Sequence, residues 1–528
     1  MQERKMIEIL HKITQERAQD ITQKGFALGH NVPQSRIHPL IKPKLDSTFF
    51  IAEIKRASPS HGDLSKIDEP IKLAQDYLNG GAGAISVLCE ERHFKGSLAD
   101  LMAVKSAYPN ACILRKDFIQ YPQEIEISYC AGADMVLLIA AMFINEDKGF
   151  IHLQAIYEEC LKYGITPLLE VHTQKEIDFI APLNPTLVGI NARNLHTLEI
   201  DIIQACALKS AITSTLPHTQ VMFESGINSP HSAFIVGSFG FSGILCGSYL
   251  VAHNNPTRAL QSLKNAFLIG KNQQPRFYRY TFPTLTRHNI ESTKIESAQV
   301  GDSQILLKVC GITNLDNALL IAEEATKYQH KITFMLGFIL AQNSPRFIES
   351  KRIKEISKAL HSLYPHILRV VVVKDDKNAL NEAKTLYEQG HIDAIQLHGL
   401  DSLTPHTFAH IPLKEATFCF YGVQNIAKAE DFIADYEGAF CLVDSQSAQG
   451  GGSGKRIDTN VLCHLKERYL CIAGGISADN INEFLSLSPT MLDISSGVES
   501  VPGVKDIDKI KMILHTIESY QAKKASSH

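Results

Sequence analysis

Short runs of β-branched and apolar residues recur along the chain in two series of eight, and each run is followed by a stretch of helical periodicity. The first series is "FFIAEIK", "AISVL", "ACILRK", "DMVLLIA", "ITPLLEV", "LVGIN", "QVMFES" and "GILCG". The second is "ILLKVCG", "TFMLGFIL", "LRVVVVK", "DAIQLHG", "ATFCFYG", "AFCLVD", "YLCIAGG" and "MLDISSG". Alternating strand and helix implies a mostly parallel sheet, and eight such units in roughly 200 residues suit a closed (β/α)8 barrel. An open doubly wound sheet would explain several of these runs but not two sets of eight. The expected fold class is therefore α/β, two TIM barrels in tandem joined by a linker. A chain of 528 residues, more than one core usually supports, agrees with that division.

The expected boundaries are 1–268 for the first barrel, 269–304 for a linker and 305–528 for the second barrel. The N-terminal "MQERKMIEILHKITQERAQD" alternates charged and apolar residues at helical spacing and reads as a helical extension, not a secretory or transit signal. Polar residues and two prolines interrupt every period in 270–304. The patch "RFYRY" within it reads as a segment docked on a barrel surface better than as an RNA contact. The last eight residues, "QAKKASSH", read as a frayed tail.

A net charge of −4 gives no reason to expect a nucleic-acid or polyanionic-membrane partner. The run "MVLLIAAMFI" is too short to cross a bilayer. Eleven cysteines without a C-x-x-C pair, several in strand-like runs, suggest reduced thiols in a cytoplasmic protein. They offer no zinc site, and the 22 histidines include no H-E-x-x-H, so no metal and no cofactor are expected. "QGGGSGKR" (449–456) resembles a P-loop, but Gln449 replaces the first glycine and Arg456 the magnesium-binding hydroxyl. It reads as a mobile glycine-rich loop able to close over a substrate.

In such barrels the C-terminal strand ends face the active site, and the loops after strands 7 and 8 often hold a phosphate. "ESGI" and "CGS" put Gly226 and Gly247 21 residues apart; "AGGI" and "SSGV" put Gly475 and Gly497 22 apart. Repetition of that pair in both halves points to two phosphorylated substrates. Glu53 and Lys55, at i and i+2, share one strand face. Lys116, Glu170, Asn191, Arg193, Glu224 and Ser225 arrive at the same rim from other strands. Together they form an acid/base site with a cationic component, suited to a substrate bearing carboxylate and phosphate.

The motifs "EIKRASPS", "AISVLCEERHFKGS", "LRKDF", "LLEVH", "GINARNL" and "FESGI" resemble indole-3-glycerol-phosphate synthase over residues 1 to about 268. "KVCGITN", "GFILAQNSPR", "DAIQLHG", "CLVD…GGSGK", "AGGIS" and "LDISSGVE" resemble phosphoribosylanthranilate isomerase from about 305 to 520. The pair resembles the fused bifunctional enzymes of bacterial tryptophan biosynthesis. The resemblance implies two small phosphorylated anthranilate-sugar substrates, no nucleic-acid or membrane partner, and a monomer. The alternative is a first barrel that is active beside a second that serves as scaffold or binding module.

In the synthase half the resemblance implies Lys116 as the acid at the substrate ketone and Glu170 for the later proton transfer. Glu53 and Lys55 position, polarise or share acid duty, and Asn191, Arg193, Glu224 and Ser225 complete the wall. Phe94 and Phe118 pack on the anthranilate ring, while Ser58, Gly226, Gly247 and Ser248 hold the phosphate. In the isomerase half it implies Cys310 as base, Asp444 as acid and Arg346 for the anthranilate carboxylate. Gly474, Gly475, Ser496 and Gly497 hold the phosphate there, and His398 is structural or lines the site. "VVVVKDD" (370–376) and "FCFYGVQ" (418–424) depart from the family pattern.

Overall fold

The computed structural model describes residues 4–58, 62–63, 69–194, 199–286, 305–399, 406–445, 456–465 and 469–526. The chain forms two compact units, Met1–Gln274 and Pro275–His528, each built on a closed eight-stranded parallel barrel.

The strands of the first barrel are Phe49–Ile54, Ala84–Leu88, Ile113–Lys116, Met135–Ile139, Thr166–Val171, Leu187–Asn191, Gln220–Glu224 and Gly243–Cys246. Each pairs in parallel with its sequence neighbours, and Phe49–Ala52 closes the ring on Gly243–Cys246. Nearly every strand residue is buried, as expected for strands covered on both faces. The period of two then decides what reaches the site. Ile51, Leu114, Leu168 and Met222 belong to one apolar cluster. Two residues further on, on the same face of each strand, stand Glu53, Lys116, Glu170 and Glu224.

The N-terminal helix Arg4–Lys24 is bolted to the segment after the third strand. Arg17, 5 % exposed, reaches Asp117 at 2.5 Å and Glu124 at 3.3 Å. Arg115 also binds Asp117 (2.8 Å), and Asp117 accepts the Phe118 N–H. Four buried charges thus neutralise one another beside Lys116. Such a set persists because removing one member strands the others without water.

The second barrel runs Ile305–Cys310, Ile332–Ile339, Leu368–Lys374, Ala394–His398, Phe420–Ile426, Cys441–Ser445, Cys471–Ala473 and Met491–Ile494. Its fifth strand is shifted from the expected "ATFCFYG": pairing begins at Phe420 and runs on through Ile426.

Two boundaries need correction. The helix Pro256–Gln273 continues past 268, and Arg276–Thr286 is a helix of the second unit, so the linker expected at 269–304 is helical over most of its first half. Phe277, Tyr278 and Phe282 are fully buried, and the Tyr278 hydroxyl both accepts from Phe420 N and donates to Phe420 O at 3.2 Å. Arg276 pairs with Asp393 at 3.0 Å, just before the fourth strand, so the helix covers the N-terminal ends of the strands. Full burial of three aromatic side chains is worth roughly 1.5–3 kcal/mol each, which is why this short amphipathic helix stays ordered despite Pro283 within it. At the C-terminus, the expected tail is helical as far as Ser526. Of the glycine-rich loop 449–456, residues 449–455 lie outside the described residues, as do residues 287–304.

Candidate active sites

A cavity of about 490 Å³ opens at the C-terminal ends of the first barrel's strands. It brings together Glu53, Lys55, Phe94, Lys116, Phe118, Glu170, Asn191, Arg193, Glu224, Ser225, Gly226, Gly247 and Ser248. The side chain of Ser58 lies outside the described residues. Leu10 and Ile13 of the N-terminal helix also line the cavity. They were not singled out in the sequence, where they look like ordinary apolar positions of an amphipathic helix.

At its floor, Lys116 Nζ donates to Glu224 Oε2 at 2.5 Å and to Glu170 Oε2 at 3.1 Å. The second ion pair is Lys55 to Glu53, at 3.1 Å. Burial lowers the proton affinity of the Lys116 amine, but Glu224, Glu170 and Glu53 outweigh it and raise it above the ordinary lysine value. Burial pushes Glu170 up, yet Lys116 and His172 prevail and hold it below the usual carboxylate range. Glu224 moves the other way: burial and the charge on Glu170 raise it more than Lys116 lowers it. The two carboxyls therefore titrate as a pair that shares a proton, with Glu170 the more readily ionised.

His172 is a further group that sequence reading passed over. Its Nδ1 lies 3.2 Å from Glu176 and its Nε2 3.5 Å from Glu170, so it sits between two carboxylates behind the site. The signal was in "LLEVH", since His172 follows Glu170 by two residues.

Room for Glu224 depends on Gly189 in the sixth strand. A Cβ there would stand 1.9 Å from Glu224 Oε1. Gly189→Ala should displace the carboxyl and reduce turnover at this site about 10²-fold, with the far-ultraviolet circular dichroism unchanged. Activity within threefold of wild type would refute that placement. Beyond Glu224, Ser225 and Gly226 both take left-handed conformations (φ 65° and 80°), turning the chain sharply at the cavity wall. Phe94 and Phe118 lie 6.0 Å apart, tilted by 37°, as a partial aromatic wall.

In the second barrel, Cys310 ends the first strand and Asp444 lies next to last in the sixth. Both are nearly buried, at 6 % and 7 % exposure. Burial raises the Cys310 thiol, although Lys308 opposes the shift. Burial also raises Asp444, to about 6. Lys308, two residues before Cys310 and on the same face, donates to Gln396 (2.6 Å) and Asp493 (2.7 Å) inside the barrel. Its position was readable by the argument used for Glu53 and Lys55, but "LLKVC" drew attention to the thiol alone.

Arg346 is 6 % exposed and forks onto Glu499, with Nε to Oε1 and Nη2 to Oε2 both at 2.8 Å. Gly474 lies against Asp444, where a Cβ would be 2.7 Å from Oδ1. The loops carrying Gly475 and Ser496–Gly497 meet through a parallel bridge between Ser477 and Gly497. His398 closes the fourth strand. Among the described residues no group of three or more His, Cys, Asp or Glu could hold a metal, and no helix is long and apolar enough to cross a membrane.

Residues 3–263 match the family model for indole-3-glycerol phosphate synthase, and residues 307–516 the one for N-(5'phosphoribosyl)anthranilate (PRA) isomerase. Indole-3-glycerol phosphate synthase of Saccharopolyspora erythraea is 42% identical over 217 residues, covering 41% of this chain and 77% of that protein. Tryptophan biosynthesis protein TrpCF of Helicobacter pylori strain 26695 is 28% identical over 478 residues, 90% of each chain. Among solved structures, phosphoribosyl anthranilate isomerase from Thermus thermophilus is 30% identical, covering 41% of this chain and 99% of that one, with a TM-score of 0.34. The chain belongs to the indole-3-glycerol phosphate synthase family through its first barrel and carries a PRA isomerase domain in its second, which makes it a bifunctional enzyme of tryptophan biosynthesis.

Proposed function

We propose that Lys116 is the general acid of ring closure in the first barrel and that Cys310 and Asp444 are the base and acid of the second. In the first reaction, C1 of the anthranilate ring of 1-(2-carboxyphenylamino)-1-deoxyribulose 5-phosphate attacks the ketone carbon. The ketone oxygen takes a proton, CO₂ leaves from the ring, and the hydroxyl departs as water. The observation that carries this reading is the Lys116 ammonium held between Glu170 and Glu224 at the cavity floor. An ammonium aimed by two carboxylates can donate to an oxygen and be reprotonated by the same pair. Glu170, the more readily ionised, is suited to the later removal of a ring proton. Lys55, oriented by Glu53, polarises the ketone or the departing hydroxyl. Asn191 and Arg193 bind the substrate's polar groups, and Phe94 and Phe118 its ring. Gly226, Gly247 and Ser248 offer backbone N–H groups to the phosphate.

In the second reaction, the furanose ring of the phosphoribosyl anthranilate opens and a proton leaves C2′ to give an enolamine, which gains a proton at C1′ and releases the one on O2′ to become the ketose that the first barrel consumes. Asp444, whose carboxyl burial raises to about 6, protonates the ring oxygen. Cys310 takes the C2′ proton, with the Lys308 ammonium favouring its thiolate. Gly474, Gly475, Ser496 and Gly497 hold the phosphate. We further place the enzyme in the cytoplasm, a reading supported by ten buried free cysteines, and expect a monomer, which light scattering tests. Cys310→Ser separates the two activities: isomerisation should fall by about 10²-fold or more while ring closure stays at the wild-type rate. Loss of both activities, or of neither, would overturn the assignment.

A further inference from the structure

Arg346, which Proposed function assigns to the anthranilate carboxylate, is already bonded to a carboxylate of the protein. Glu499 accepts from Arg346 Nε and Nη2, and its Oε1 also accepts from Lys505 Nζ at 2.7 Å and from the Gly503 N–H at 3.1 Å. Burial alone would raise the Glu499 carboxyl; Arg346, Lys505 and the Gly503 N–H outweigh it and keep it ionised. A guanidinium has five N–H donors. Glu499 takes the Nε hydrogen and one on Nη2, leaving three at the Nη1 end. That end makes no hydrogen bond among the described residues, and 8 % of the side chain remains open. The stem crosses Gly311, the residue after Cys310, so closely that a Cβ there would be 2.5 Å from Arg346 Cδ. A guanidinium gripped on its Nε edge beside the proposed base presents its other edge to a second planar carboxylate.

The brace also extends to the phosphate loop. Lys505 Nζ donates to Ser495 O at 3.2 Å, and Ser495 Oγ donates to Cys310 O at 3.1 Å. Ser495 directly precedes Ser496 and Gly497. One buried carboxylate thus ties together the arginine, the strand that carries Cys310 and the loop expected to hold the phosphate.

We infer that Glu499, braced by Lys505, is a positioning residue that sets the isomerase's selectivity for a substrate with an ortho-carboxylate on its aromatic ring. This rests on the assignment of Arg346 to that carboxylate. The test uses the full-length chain and two non-reacting competitors of the isomerase reaction. They are 1-(2-carboxyphenylamino)-1-deoxyribitol 5-phosphate and the same compound without the carboxylate. Glu499→Gln should raise the inhibition constant of the carboxylated competitor about tenfold or more and leave that of the other within about twofold. Glu499→Asp, which keeps the charge but is too short to span both nitrogens, should give an intermediate ratio and serves if the glutamine variant does not fold. Ring-closure activity of the same chain reports on its integrity. Equal weakening of both competitors, or no weakening of either, overturns the inference. Arg346→Met separates the two levels. If it leaves the preference intact, the assignment of Arg346 itself fails. If it abolishes the preference while the Glu499 variants do not, only the role of Glu499 fails.

Discussion

Lys116→Met should lower ring-closure turnover by about 10³-fold or more and leave the isomerase unchanged. Methionine keeps the length and apolar stem of lysine, so the loss isolates the ammonium. Two consequences follow from the distances of 2.5 Å and 3.1 Å to Glu224 and Glu170. The reacting oxygen loses its proton donor, and two buried carboxyls lose the cation that compensated them. Glu170, held low chiefly by Lys116 against the upward push of burial, must then rise. A carboxyl whose affinity is raised in the folded state supports folding below its unfolded value and withdraws that support as pH rises through the new one. Wild-type Glu170 is already ionised and paired at pH 4.5, so the variant should unfold more easily there than wild type, and progressively more easily toward pH 8. Separate synthase assays and thermal unfolding over that range check both effects. A loss of less than tenfold in turnover would remove Lys116 from the role of acid.

Asp444→Asn should reduce isomerisation by about 10²–10⁴-fold and, unusually for an active-site change, stabilise the second barrel at alkaline pH. Burial raises this carboxyl from 3.8 to about 6, so its contribution to stability is fully present below 3.8 and is lost as pH climbs through about 6. That interval corresponds to roughly 3 kcal/mol. Asparagine cannot ionise, so the gap between variant and wild type in urea unfolding should open between pH 4.5 and pH 8. The rate carries a matching signature. Below about pH 6 Asp444 keeps its proton while the Cys310 thiolate fraction rises tenfold per pH unit, so kcat/KM climbs. Above that point the two fractions change in opposite directions and the profile levels. The bend should vanish in Asp444→Asn. Its survival there would assign the titration to another group.

Much of this enzyme was legible because a barrel strand obeys a period of two. Runs such as "AISVL", "LVGIN" and "LRVVVVK" coincide with observed strands residue for residue. The same alternation carried Glu53, Lys116, Glu170 and Glu224 onto the face of Ile51, Leu114, Leu168 and Met222. What escaped was structure whose logic is tertiary. Arg276–Thr286 buries Phe277, Tyr278, Thr281, Phe282 and Leu285 at helical spacing, but the internal Pro283 and the polar stretches around it obscured that period. The fifth strand of the second barrel starts late because its partners, not its propensity, set the register. Arg17, Lys308 and Glu499 were not singled out in the sequence and are buried members of ion pairs. The strand face of Lys308 could be read from its spacing to Cys310, but its partner Asp493, 185 residues away, could not.

The aromatic helix that precedes the second barrel bears on how the gene can be dissected. A cut at the first residue of that barrel's opening strand would strip Phe277, Tyr278 and Phe282 from the isomerase and leave Phe420, Tyr421 and Phe440 uncovered at its base. Severing the polypeptide between Gln274 and Pro275 instead leaves this stopper attached to the half it seals.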